Sequence, residues 1–327
     1  MSGYFPELTP LFEEFASAFA GRKVCVIGHA RPDGDCIGSQ IAISGMLNLL
    51  GVETLTVNAD RIPDTLGFLE TPTSIEIVNP KTLGDLPLVY VDCADERRVG
   101  PKTSQSLASL RRVLNIDHHI SNTQFAEMNI VDGDASATCE ILAGIALDLE
   151  LAFDARIAQA LYAGIVTDTG RFSYAATSSR VFALCSELVD RGASPQVAAE
   201  NLFENETMPR MKLLQRFLGS LTFECDGKVC VGELRQKDFI ETGTAYQHTE
   251  GFVDYARSLK GVLVGVLLEE RKHMTKSSLR ANRKELRVDQ IASAFGGGGH
   301  ACAAAMNIEM PLDDLRTELL AALAERV

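Results

Sequence analysis

The sequence predicts an α/β protein of two domains: a first with a mainly parallel sheet flanked by helices, and a smaller α/β second. Three observations carry this. Short β-branched apolar runs alternate with helical patterns from Lys23 to Thr167. Those runs are continuously apolar, which suits a parallel sheet covered on both faces. The chain has 327 residues, 46% of them hydrophobic, enough at ~150 residues per domain for two cores.

KVCVIGH (23–29) reads as the first strand and runs into the loop HARPDGD. A helix follows over 37–50, with Ile37, Ile41, Met46 and Leu50 apolar and Gly51 after its end. ETLTVN is the next strand. LPLVYVDC (86–93) is a stronger one, with Pro87 at its start, where a strand tolerates a residue without an N–H. Residues 113–116 form another. Helices are expected over 135–149, 154–167 and 178–191, the last stopped by Gly192, and again after Pro195. Composition changes near 208–217. We therefore expect a first domain over 1–195, a linker helix region over 196–218 and a second domain over 219–327. In the second, LTFECDGKVCVGEL reads as a hairpin turning at Asp226-Gly227. Strands are expected over 261–270 and 276–280. The glycine run 296–299 precedes a last strand and a helix over 312–325.

Composition narrows function. Charged residues make up 23% of the chain, which suits a folded rather than a disordered protein. No apolar run approaches the ~20 residues that span a bilayer. The start, MSGYFPELTPLFEEF, lacks a basic segment followed by an apolar one, so no secretory signal is expected. The eight cysteines include no C-x-x-C, which argues against a zinc framework and for a reducing cytoplasm. A net charge of -13 disfavours a long-duplex DNA binder, which needs many phosphate contacts. It leaves room for a short anionic substrate in a locally cationic or metal-lined site.

The acids and histidines fall at strand ends. His29, Asp33 and Asp35 lie in the loop leaving the first strand, Asp92 and Asp95 close the 86–93 strand, and Asp117, His118 and His119 close the 113–116 strand. Asp168 ends an apolar helix. Each alone reads as a turn, a cap or a structural histidine. Together, four separate element ends deliver carboxylates and imidazoles to the edge where parallel sheets bind ligands. A donor set without thiolate suits Mn²⁺, Mg²⁺, Co²⁺ or Fe²⁺ better than structural zinc. Four crowded carboxylates carry about -4, which two divalent ions balance, and paired ions suit phosphoryl transfer.

HARPDGDCIGS (29–39), VDCAD (91–95), DHH (117–119) and VTDTGRF (166–172) resemble, in order, the four motifs of the DHH phosphoesterase superfamily. SLRAN (278–282) and GGGGHACAAA (296–305) resemble the DHHA1 domain that often follows. The likeness is greatest to the nanoRNase and pAp-phosphatase branch. It implies an active site in the cleft between a DHH catalytic domain and a DHHA1 substrate-binding domain. It implies His29 and Asp33 as ligands of one metal, Asp35, His118 and Asp168 of the other, and Asp92 bridging both. Two residues apart in a turn, Asp33 and Asp35 can diverge to serve different ions. His119 then faces the substrate phosphate as donor or general acid, and Asp117 orients a histidine from behind. The nucleophile is a hydroxide formed on the metals. Cys36 and Cys93 are expected to pack.

Four glycines alone suggest a flexible loop. A dinucleotide-binding G-x-G-x-x-G belongs between the first strand and helix, so that reading fails on position. In the DHHA1 resemblance Gly297, Gly298 and Gly299 let backbone amides approach a phosphate or ribose, with Arg280 and His300 as cationic contacts. The family run usually ends AAG; here it ends Ala304-Ala305. Lys272, Lys276, Arg283, Lys284 and Arg287 form either a basic rim or a solvated surface.

The expected function is metal-dependent hydrolysis of very short RNA to mononucleotides and of pAp to AMP, with two divalent cations, Mn²⁺ first among them. The partners are a short RNA or nucleotide substrate and, from the resemblance, a second copy of the chain; no membrane is expected. The alternative is a phosphodiesterase for c-di-AMP or pApA. An exopolyphosphatase or pyrophosphatase fits the glycine-rich domain less well. A catalytically dead nucleotide-binding regulator predicts broken metal motifs, and none of the ligands is missing. A RecJ-type exonuclease predicts a basic channel.

Overall fold

The structure is a computed structural model. It describes residues 3–69 and 74–327, in two compact units, Met1–Asn205 and Glu206–Val327. Among the described residues no helix is long and apolar enough to cross a membrane.

The first unit runs α1 (Thr9–Phe19), β1 (Lys23–Ile27), α2 (Gly34–Leu49), β2 (Glu53–Asn58), β3 (Glu76–Ile77), α3 (Pro80–Leu83), β4 (Leu88–Val91), α4 (Pro101–Ser106), β5 (Arg112–Asp117) and β6 (Met128–Val131). Four helices follow: α5 (Thr138–Asp148), α6 (Ala155–Asp168), α7 (Ser179–Asp190) and α8 (Pro195–Leu202). Its strands pair in parallel, in the order β3-β2-β1-β4-β5-β6. The apolar runs lack polar alternation because both faces are covered. Val24, Val26, Val89, Val91, Leu114 and Ile116 pack on the side of Ile43, Met46, Ile141 and Ile165. Cys25, Ile27, Leu88 and Tyr90 pack on the other, with Leu83, Val99 and Leu107. Strand order reverses between β1 and β4, so the loops leaving them diverge and open a crevice at the carboxyl edge.

Helix α2 starts at Gly34 rather than Ile37, because the Asp33 carboxylate caps it by accepting the Cys36 N–H at 3.0 Å. It lies tightly on α6. A Cβ on Gly34 would meet Thr167, one on Gly38 the Ala160 carbonyl and one on Gly45 Ile157. This close crossing sets the start of α2 beside the end of α6. The sequence pattern does not predict strands β3 and β6 or helix α1; β3 is short and exposed and β6 short and only partly buried, so both lack the long apolar signature of β1 and β4.

The second unit runs α9 (Met208–Gly219), β7 (Thr222–Glu224), β8 (Val229–Leu234), α10 (Gln236–Thr242), α11 (Phe252–Arg257), β9 (Val264–Glu270), β10 (Thr275–Ala281), α12 (Val288–Ala294), β11 (Gly298–His300), β12 (Ala303–Ile308) and α13 (Leu312–Ala324). Its sheet has the order β11-β12-β10-β9-β8-β7; β8 and β9 pair in parallel and the other neighbours antiparallel. The hairpin expected at Asp226-Gly227 joins β7 and β8. One sheet face packs Val231, Val266, Leu279 and Met306 against α12 and α13. The other packs Cys230, Leu234 and Leu267 against α9 and α11. The stretch 196–218, expected as a linker, holds most of two packed helices. Helix α8 belongs to the first unit, and α9 buries Leu213, Leu214 and Phe217 in the second.

Candidate metal centre

Strand β1 ends just before His29. Its Nδ1 lies 2.9 Å from the Ala30 carbonyl, which places the proton on Nδ1 and the lone pair on Nε2. That Nε2 is buried without a hydrogen-bond partner, yet stands 3.6 Å from Asp33 Oδ1 and 3.2 Å from Asp92 Oδ2. A lone pair facing two carboxylates calls for a cation. Burial works against protonating His29, but Asp33 and Asp92 outweigh it and push its pKa up.

His118, just past β5, repeats the arrangement. Its Nδ1 lies 3.3 Å from the Ala135 carbonyl. Its Nε2 lies 3.2 Å from Asp168, 3.7 Å from Asp92 Oδ1 and 3.9 Å from Asp35. Burial lowers its pKa, but Asp168, Asp35 and Asp92 carry it up to about 10. Burial, then Asp92 and Asp168, pushes the Asp35 carboxyl well above its ordinary range. Burial likewise raises Asp168. Two groups of potential metal donors result: His29, Asp33 and Asp92, and Asp35, His118 and Asp168. Asp92 offers one oxygen toward each. Carboxylate and imidazole donors, excess negative charge and an orphaned buried nitrogen fit divalent cations.

His119 is turned differently. Its Nδ1 is 2.8 Å from Asp117 Oδ1, while the other Asp117 oxygen accepts from Asn122 at 2.7 Å. It also groups with Asp92 and His118, and its Nδ1, 3.6 Å from Asp92, is the nitrogen bonded to Asp117. Nε2 is the nitrogen left without that bond.

Several supports were not read from the sequence. Asp35, fully buried, accepts the Thr138 and Cys139 N–H groups at the start of α5, at 2.7 and 2.8 Å. The Thr138 hydroxyl reaches Asp92 at 3.3 Å. Glu140 holds that helix end by accepting the Ser136 N–H at 2.6 Å and pairing with Arg180 at 2.6 Å. The available signal was Ser136-Ala-Thr-Cys-Glu140 opening a helix directly after β6. Asp95 does not join the cluster; it caps the turn over Glu96–Val99. Cys36 and Cys93 are buried, and burial raises both thiols, Cys36 to about 11, so both remain protonated packing groups.

The model of the DHH family's N-terminal domain matches residues 23–165, and that of the DHHA1 domain matches 226–327. A Thermus thermophilus protein named bifunctional oligoribonuclease and PAP phosphatase NrnA is 30% identical over 320 residues, covering 97% of this chain and 94% of that one. The chain belongs to the DHH family. A Bacillus subtilis protein of the same name is 25% identical, covering 86% of this chain and 87% of that one. The fold matches that of an exopolyphosphatase-related protein from Bacteroides fragilis, with a TM-score of 0.88 at 21% identity over 97% of this chain and 95% of that one.

The DHHA1 unit of this DHH chain gathers the other expected residues. Arg280 on β10 and His300 on β11 both register with Ala303 on the strand between them. Directly opposed residues share a face, so the guanidinium and imidazole side chains flank a small alanine. At ~4.8 Å per strand they stand ~10 Å apart along the sheet. Among the described residues Arg280 has no carboxylate partner; its guanidinium meets only the Leu279 carbonyl, at 3.1 Å. The glycine run is not a free loop: Gly298–His300 is the edge strand β11. A Cβ on Gly297 would strike the Ala305 carbonyl and one on Gly299 the Ala303 carbonyl, whereas Gly298 faces open space. Two of the three glycines therefore serve strand approach. Of the basic residues nearby, Lys276 pairs with Glu269 and Arg287 with Asp289, while Lys272, Arg283 and Lys284 are exposed without an ion pair among the described residues.

Proposed function

We propose that this DHH protein hydrolyses terminal phosphodiesters of very short RNA and the 3'-phosphate of pAp, using two divalent cations, Mn²⁺ first among them. The observation that carries the reading is Asp92, whose two carboxylate oxygens face separate donor groups. His29 and Asp33 would hold one ion, Asp35, His118 and Asp168 the other, and Asp92 both. When bound, the ions supply positive charge for the phosphate and acidify water. The remaining work falls to the chain itself. Asp117 fixes the His119 ring through Nδ1 and leaves Nε2 for the phosphate or leaving group. Arg280, His300 and the open backbone at Gly298 grip a second phosphate or ribose. The names of the two relatives support the substrate class.

The test is a product-resolved assay on 2-mer to 24-mer RNA, pAp, pApA and c-di-AMP, run with Mn²⁺ and after chelation. Chelation should abolish turnover and Mn²⁺ restore it, with dimers and pAp turned over fastest. Full activity in excess EDTA would sink the metal reading. A preference for c-di-AMP would replace the substrate class with cyclic dinucleotides.

A further inference from the structure

Asp168 ends α6 and leads into a turn with uncommon backbone. Gly170, Arg171 and Phe172 have φ of 54°, 59° and 64°, left-handed values that side-chain-bearing residues rarely adopt. Several contacts hold the turn there. The Arg171 N–H donates to the Val166 carbonyl at 2.9 Å, and the Ser173 and Tyr174 N–H groups both donate to the Thr169 carbonyl at 3.0 Å. The Phe172 N–H donates to the Thr169 hydroxyl at 3.1 Å. The Arg171 guanidinium lies over the Phe203 ring at 4.0 Å, and Phe172 packs on Phe182 at 5.2 Å. Strain held this firmly beside a site is a reason to ask what it presents.

It presents Tyr174. The ring lies over Gly170, where any Cβ would run into it. It is nevertheless 58% exposed. Among the described residues it pairs with no other aromatic ring, and its hydroxyl has no hydrogen bond. Gly170 is two residues from Asp168, at most ~7 Å of chain. We propose that Tyr174 is a stacking platform for the nucleobase of a substrate whose phosphate lies at the Asp/His centre. The position of that phosphate rests on the phosphoesterase reading above. Every base has a π-face, so such a platform accepts any base without a hydrogen-bond code. Its ring is already fixed over the glycine, so little side-chain freedom is lost on binding. An apolar cover for Gly170 is the structural alternative, and a leucine would serve that role as well.

The experiment uses the full chain loaded with Mn²⁺. The chain has no tryptophan, so Tyr174→Trp introduces a single indole emitter at the platform. A phosphorothioate analogue of pAp should quench that emission, and the matching abasic ribose bisphosphate should not. Hydrolysis is compared as the ratio of kcat/KM on pAp to that on the abasic bisphosphate. Tyr174→Leu should lower this ratio about 5- to 150-fold, the range of base-stacking losses, and Tyr174→Phe should keep it within about twofold. A wild-type ratio in Tyr174→Leu, or no quenching by bound base in Tyr174→Trp, overturns the platform. Quenching by pAp without hydrolysis by the wild-type chain would leave the platform standing and overturn the assigned activity instead.

Discussion

At Asp92 the backbone is left-handed, with φ of 55°, and the side chain is buried among His29, His118 and His119. A residue held in that conformation directly after a buried strand marks a position where placement of the side chain outweighs backbone comfort. If both ions rest on it, Asp92→Ala should lose both, whereas Asp33→Ala should lose no more than one. Elemental analysis of dialysed protein decides this; an Asp92→Ala variant that keeps both ions removes the bridging role. His119→Ala tests the neighbouring assignment. Its kcat should fall ~10²–10⁴-fold, the range for a lost acid–base group, with metal content near that of the wild type. A lost ion in that variant would make His119 a ligand. Much of this scale was legible in the sequence, because carboxylates and imidazoles at strand ends announce themselves by type and position. Thr138 and Cys139 did not, since their contribution to Asp35 is two backbone N–H groups that any residue but proline carries.

Elements meet at this site because α2 and α6 lie close enough for Asp35 and Asp168 to face the same histidine. The glycines of α2 were legible as residues but not as a contact surface, because their role depends on a partner far along the chain. A Cβ on Gly38 would strike the backbone carbonyl of Ala160, which cannot swing away. Gly38→Ala should therefore destabilise the fold by ~1–3 kcal/mol, the range for overpacking a dense contact, and weaken Mn²⁺ binding as the helix ends separate. Gly219, at the end of α9, has open space where its Cβ would go. The same change there should be neutral or stabilising by ~0.4–1 kcal/mol. Urea midpoints with unchanged slopes would show both effects; a Gly38→Ala variant as stable as the wild type would mean that the crossing can relax. Strands β1, β4 and β9 were legible because they are buried on both faces. The edge strand β11 was not, because the close approach that Gly297 and Gly299 permit depends on a partner strand, β12, that the glycine run by itself does not reveal.

For the whole molecule the decisive quantity is charge. The chain carries -13, so each phosphate added to an RNA beyond those gripped adds repulsion instead of affinity. Activity should fall from dimer to 24-mer, and added salt should narrow the gap by screening that repulsion. A basic channel gives the opposite sign, with long strands weakened most by salt. The division of labour between the units gives a second, independent contrast. Arg280 has no carboxylate partner to release among the described residues, so its guanidinium is available to a ligand. A hydrogen bond to a charged group contributes about 1.5–3 kcal/mol, so Arg280→Ala should cost dinucleotide or pAp hydrolysis ~10-fold or more. The loss should fall mainly in KM if the contact is equal in the ground and transition states. Bis-p-nitrophenyl phosphate has no second phosphate or ribose to offer, so its hydrolysis should lose far less, while Asp92→Ala should abolish both activities. Equal losses on both substrates in Arg280→Ala would make Arg280 a structural residue of β10. A 24-mer degraded as fast as a dimer, and faster at low salt, would mean that local positive charge near the site overrides the net charge of the chain.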